Sequence, residues 1–183
     1  EITPNHHRLA EQFVLLDNTY CDGEVSQDGW EWATAAMDSD WDIRVTAQSY
    51  GRKPKPPHDR EVIRPANRYL WEQAGAFGKT YFYKKADLFL KDFKPSAAKG
   101  KWHNLTLISL TDDHTSGTRA GAKTPFACVA SNDWALGRIV EGITNSPIWE
   151  KSAIFVIADD AQNGPDHVDA HRTVALVISP YTP

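Results

Sequence analysis

The sequence predicts an α/β fold, a mostly parallel sheet with helices on both faces, and three observations carry that expectation. Strand-sized apolar runs alternate with helical patterns along the chain, the order that builds parallel sheets. The runs at 105–110 and 152–158 are nearly continuous in apolar residues, as in strands covered on both faces. Both runs end in acids, and open α/β sheets gather their ligands at the carboxyl ends of strands.

Residues 4–16 read as a helix started by Pro4 or Asn5, with Leu9, Phe13 and Leu16 on one face. A turn-rich loop follows from Asp17 to Gly29, and Trp30–Met37 begins a second helix. Gly51, Pro54, Pro56 and Pro57, set among cationic residues, mark 51–60 as an exposed loop. Arg64–Gly78 looks helical, with Pro65 in its first turn and Gly78 as its stop. Thr80–Tyr83 is a short strand and Lys85–Phe93 a short helix. Leu105–Leu110 is a buried strand. Thr124–Ile143 is the clearest helix, with Thr124 as its cap and Pro125 in its first position. Ile154–Ala158 and Thr173–Ser179 complete the strands. No strand precedes residue 4 and the chain stops just after one. The expectation is therefore a single domain over 1–183, truncated relative to a complete doubly wound domain and part of a larger protein.

At 183 residues the chain can bury a real core, and 41% hydrophobic with 24% charged residues is ordinary for a soluble domain. A net charge of −4, without a basic stripe, argues against nucleic acid as a partner. No apolar run approaches the roughly 20 residues that cross a bilayer. Cys21 and Cys128 either pair in an oxidising compartment or stay as small buried thiols; their loop and helix positions favour free thiols. Seven tryptophans point to a well-filled core or an aromatic-lined cleft.

Two strand ends carry the residues able to do chemistry. One offers Asp112, Asp113 and His114; the other offers Asp159, Asp160, Asp166, His167 and His171. Mixed Asp and His donors suit zinc, manganese or iron, whereas an all-oxygen set suits magnesium or calcium. Two such clusters fit a pair of ions about 4 Å apart, which clamps a transferring phosphoryl group. Any one of these residues alone is more simply a solvated loop residue; both clusters at the ends of buried strands reverse that judgement. Ser26, in Gly23-Glu24-Val25-Ser26-Gln27-Asp28-Gly29, is a hydroxyl that a loop can present as a nucleophile, though most loop serines are solvated turn residues. Arg119 and Arg172 are candidate phosphate grips, with solvated surface an equal alternative. His6 and His7 read as surface residues of the first helix.

Four stretches together resemble the alkaline phosphatase superfamily. They are Thr3 to Gly29, Asp113-His114-Thr115-Ser116-Gly117-Thr118-Arg119, Ser131 to Val140, and Asp159 through Asp166-His167-Val168 to Tyr181. The resemblance is to its phosphoesterase branch of phospholipase C and acid phosphatase proteins, and closest to the domain that follows a β-propeller in some bacterial proteins. Residues 33–100 match poorly. The resemblance implies a metal-bound Ser26 nucleophile and metal ligands at His114, Asp159, Asp160 and His167; the strand-end clusters add His171 and, in place of the family's missing Asp, Asp113 as further candidate ligands. It implies one or two divalent ions, zinc foremost, with manganese, iron or calcium as alternatives. It also implies a phosphate mono- or diester substrate, a periplasmic or extracellular location and an attached propeller. The expected mechanism is attack by Ser26 on phosphorus, then hydrolysis of a phosphoseryl intermediate.

The chain departs from that pattern in three places: it begins after the superfamily's first strand, Trp30 stands where related sequences have His after Asp-Gly, and Leu110 stands four residues before His114 where several members carry Asp. These departures sustain a second reading, a non-catalytic relative serving as a binding or structural module. A mononuclear iron oxygenase would need a jelly-roll-like fold, which the helix–strand alternation opposes.

Overall fold

The computed structural model describes residues 1–49, 64–75, 80–161 and 168–182. The chain divides into two compact units. The first comprises Glu1–Leu15, Gly78–Phe155 and Leu176–Pro183; the second comprises Leu16–Phe77 and Val156–Ala175. In chain order the elements are α1 (Pro4–Gln12), β1 (Val14–Leu15), β2 (Thr19–Tyr20), α2 (Ser26–Ala35), α3 (Asp40–Ser49), α4 (Leu70–Ala74), β3 (Thr80–Tyr83) and α5 (Ala86–Ala97). They continue with β4 (Leu105–Ile108), α6 (Pro125–Thr144), a 3₁₀ turn at Trp149–Lys151, β5 (Ile154–Ile157), β6 (Arg172–Thr173) and β7 (Ala175–Ile178).

The core of the first unit follows from the spacing of apolar residues on α5. Ala86, Phe89, Leu90, Phe93 and Ala97 recur at helical spacing and are all buried. They pack with Tyr83, Ile139 and Ile143. Trp102 closes one side, its ring 5.0 Å from Phe93 and 5.7 Å from Phe89 in edge-on geometry. The long helix α6 has the predicted cap: the Thr124 hydroxyl oxygen accepts from the Ala127 N–H at 3.2 Å, and Pro125 opens the helix.

Helix α1 is tied to α6 by a buried carboxylate. Asp133, 1% exposed, accepts hydrogen bonds from the Asn5 and His6 backbone N–H groups at 3.1 and 2.8 Å. It also accepts from the Asn5 side-chain amide at 2.7 Å and pairs with His6 Nδ1 at 2.6 Å. An acid here meets the open donors and positive end of the α1 N-terminus. Burial would raise the Asp133 pKa, but the hydrogen bonds from His6 and Asn5 more than offset it and hold the group below the usual range. His6 is therefore a half-buried partner of Asp133, not the surface residue its place in the sequence suggested; His7 is exposed. Gly137 makes room for the contact, since a Cβ there would sit 2.6 Å from the Asn5 side chain.

The strands form three small sheets among the described residues: β1-β7-β5, β2-β6 and β3-β4. The β1–β7 and β2–β6 pairs are antiparallel, while β3–β4 is parallel from Thr80↔Leu105 to Tyr83↔Ile108. The chain is thus a mixed α/β structure. The described pairings do not amount to the single, mostly parallel sheet with flanking helices that the alternation predicts.

Several elements also differ in extent. The helix expected over 4–16 ends at Gln12, because Val14 and Leu15 pair with Val177 and Leu176 instead. The strand expected over 173–179 is two strands, broken at the exposed Val174. Helix α2 starts at Ser26, four residues before the expected Trp30. Of the helix expected over Arg64–Gly78, only Leu70–Ala74 is helical among the described residues. The expected loop at 51–60 lies outside the described residues. Both cysteines are free, Cys21 half-buried and Cys128 buried. No described helix is long and apolar enough to cross a membrane.

Replacing Asp133 by Ala should cost about 3 kcal/mol in urea unfolding, because buried N–H donors lose their acceptor. The folded pKa of Asp133 is lowered, so its contribution is present above the ordinary value of 3.8 and lost as pH falls through the lowered one. The gap between wild type and Asp133→Ala should therefore narrow in acid.

Candidate functional site

Ser26 is the first residue of α2, and three backbone segments put it there. A Cβ on Gly29 would lie 1.8 Å from the Asp159 carbonyl oxygen. A Cβ on Gly23 would lie 2.4 Å from Gly29 Cα and 2.8 Å from the same oxygen. Only glycine fits at either position, so the loop before α2, the first turn of α2 and the chain after β5 interleave without side chains between them. Gly23 bridges Asp160 in parallel fashion, and its carbonyl accepts the Ala161 N–H at 2.9 Å.

Asp28 fixes the entry to the helix. Its carboxylate accepts the N–H groups of Glu24 at 3.1 Å and Val25 at 3.0 Å. With the helix start pinned, the Ser26 hydroxyl donates to Asp160 Oδ2 at 2.8 Å. Two residues named from sequence, 134 positions apart, thereby meet.

Negative charge is concentrated here. The Cys21 thiol pKa is raised, first by burial and then, against a lowering backbone hydrogen bond, by the charges of Asp160, Asp22 and Asp159. His171 lies in the same unit. Its Nδ1 is 3.0 Å from Asp169 Oδ1 and its Nε2 is 3.0 Å from Glu24 Oε1. These hydrogen bonds raise its pKa. An imidazole between two carboxylates favours its charged form, and a metal would have to displace one of them to take a nitrogen. The raised pKa means that this clamp stabilises fully below the ordinary 6.5 and fades as pH rises through the raised value.

The remaining predicted residues are distributed differently. Arg172 is half-buried in β6, opposite Tyr20. Asp113, His114 and Arg119 belong to the first unit and are exposed in the loop after β4. There the His114 N–H donates to the Thr111 carbonyl, and Arg119 donates to the Ser116 hydroxyl at 3.3 Å. His167 lies outside the described residues, as does Asp166. Sequence reading missed Gly23, Gly29, Glu24, Asp28 and Asp169. Two glycines six apart around Ser26, with Asp at the third helical position, were the available signal.

The donor chemistry suits a divalent cation so far as it is described: adjacent Asp159 and Asp160 carboxylates, a serine hydroxyl at hydrogen-bond distance, and a concentrated negative field. Among the described residues, no group of three His, Cys, Asp or Glu stands in metal-holding geometry.

No protein-family model matches the chain, and no curated protein matches it. Among solved structures, it is similar to the crystal structure of a protein in the alkaline phosphatase superfamily from Vibrio parahaemolyticus, with a TM-score of 0.67 at 15% identity. The chain shares that protein's fold. The likeness covers 99% of this chain and 55% of the other, so the present chain spans about half the length of its structural relative.

Gly29→Ala should destabilise the protein by at least about 3 kcal/mol in denaturant unfolding, because the added methyl meets backbone that cannot give way. A crystal structure of any folded Gly29→Ala protein should show the Ser26–Asp160 hydrogen bond broken.

Proposed function

We propose that the chain carries the nucleophile centre of a metal-dependent phosphoric ester hydrolase acting on phosphate mono- or diesters. One observation carries this reading: the Ser26 hydroxyl, at the start of a helix, donates to Asp160 at 2.8 Å in a chain with an alkaline phosphatase superfamily fold. Asp160 orients the hydroxyl and offers an acceptor for its proton. The open N–H groups of the first turn of α2 suit phosphoryl oxygens. In the reaction the Ser26 oxygen forms a bond to phosphorus as the bond to the leaving alcohol breaks. Water then hydrolyses the phosphoserine and restores the hydroxyl. Asp159 and Asp160 would hold the cation, with His167, His114 and, less directly, Asp113 and His171 as the remaining expected donors. When bound, the cation would lower hydroxyl and water pKa values and absorb charge on the phosphoryl oxygens. Arg119 and Arg172 would grip the substrate phosphate.

The finer expectations belong to the same proposal: the phospholipase C and acid phosphatase branch, zinc as the metal, an attached β-propeller and a periplasmic or extracellular setting. What supports them is the pattern of residues in the sequence.

The test combines kinetics and metal loading. Metal-stripped protein titrated with zinc, then manganese, should bind one or two ions and melt at higher temperature. Asp160→Asn should bind one ion fewer, or bind it more weakly, with the fold retained. The loaded protein should hydrolyse aryl phosphate esters, and Ser26→Ala should lose at least about 10³-fold in kcat with metal binding intact. Full activity in Ser26→Ala would remove the serine from the chemistry. Wild-type protein that neither binds metal nor hydrolyses esters would favour the non-catalytic binding module.

A further inference from the structure

The corner between α2 and α3, away from the Ser26 hydroxyl, buries more acid than its described surroundings neutralise. Asp38 is 5% exposed. One of its oxygens accepts the Ser39 N–H at 2.6 Å; the other, Oδ2, is buried without a hydrogen-bond partner. Asp28 and Glu31 on α2 and Asp42 on α3 all act on Asp38 with like charge. Glu31 has the same difficulty: its Oε1 accepts the Tyr69 hydroxyl at 2.8 Å, while its Oε2 is buried and unpartnered. Asp42, 1% exposed, takes the Gln27 side-chain amide. Beside Tyr69, Arg64 is paired with Glu72. Among the described residues, no cation is among the groups that act most strongly on Asp38.

A buried carboxylate facing other carboxylates pays desolvation and repulsion together, and the simplest relief is a proton. A neutral carboxyl removes both the buried charge and its repulsion with the neighbouring acids. We propose that Asp38 is a proton-operated latch: the α2–α3 corner stays shut while its carboxyl is neutral and loosens when the carboxyl ionises. The latch connects to the proposed nucleophile centre through Gln27, which follows Ser26 and donates to Asp42. A rise in pH from about 4 to about 7 would thus loosen the helix that carries Ser26. The inference rests on packing and stands whether or not Ser26 is a nucleophile.

The direction of the pH effect is fixed. Burial first, then Asp42, Glu31 and Asp28, push the folded pKa of Asp38 from 3.8 up to about 7 against a lowering hydrogen bond from Ser39. The closed corner therefore holds a proton that the open corner releases. Its stability is full below the ordinary carboxyl value and is lost progressively as pH rises towards about 7.

The experiment is amide hydrogen exchange on the whole chain between about pH 4 and pH 8, corrected for intrinsic exchange. Protection of the Asp42 and Ile43 amides should fall by up to about tenfold per pH unit up to about pH 7 and then level off, one proton being linked to opening. In Asp38→Asn, which keeps the shape without the charge, the slope should be clearly smaller, the remainder belonging to Glu31, whose pKa burial also raises. A flat wild-type profile, or an Asp38→Asn profile with the wild-type slope, overturns the latch. If Asp38→Asn does not fold, carbon-13 NMR of the wild-type Asp38 carboxyl decides. Titration near about 7 supports the proposal, and titration near 3.8 overturns it.

Discussion

The nucleophile centre proposed for this protein depends on one close approach. Gly23, Gly29 and the Asp159 carbonyl occupy a space in which a single added carbon would come within 1.8 Å of the oxygen. Because no side chain separates these backbones, the first turn of α2 lies against the chain that follows β5. Ser26 and Asp160 are then neighbours by construction. Asp28, holding the N–H groups of Glu24 and Val25, keeps the helix from fraying at the end where the hydroxyl sits. Rigid backbone support of this kind gives a nucleophile a fixed position, which loops alone rarely provide.

Charge is treated in opposite ways in different parts of the molecule. Asp133 is buried with a full set of donors from the α1 N-terminus, and its carboxylate is favoured. Asp38 is buried with one donor and several like charges, and its carboxylate is disfavoured. Around Asp159 and Asp160, burial first and then the charges of Asp160, Asp22 and Asp159 raise the Cys21 pKa, and such a field suits a cation. The three cases follow from the same desolvation cost, decided by what stands within hydrogen-bond reach.

Much of the scaffold was legible in the sequence where local chemistry and tertiary packing agree. Thr124-Pro125 announced α6, and the apolar runs at 105–108 and 154–157 are strands. Legibility ended where partners distant in sequence decide. Val14 and Leu15 leave a helical pattern because Val177 and Leu176 offer backbone pairing, and Val174 splits one apolar run into strands with different partners. Ser26 and Asp160 were named from their residue types and from resemblance, but the contact between them rests on Gly23 and Gly29, read only as turn residues. Asp38 carried no signal, since burial of a lone acid next to a helix start cannot be read from its neighbours.

Acid-quenching a reaction of the metal-loaded protein with an aryl phosphate ester, followed by mass spectrometry of its peptides, tests the central claim most directly. The account predicts one phosphoryl group, carried on Ser26 and absent from Ser26→Ala. Ester hydrolysis that leaves Ser26 unmodified, with the phosphoryl group found on another side chain or passed straight to water, would contradict it.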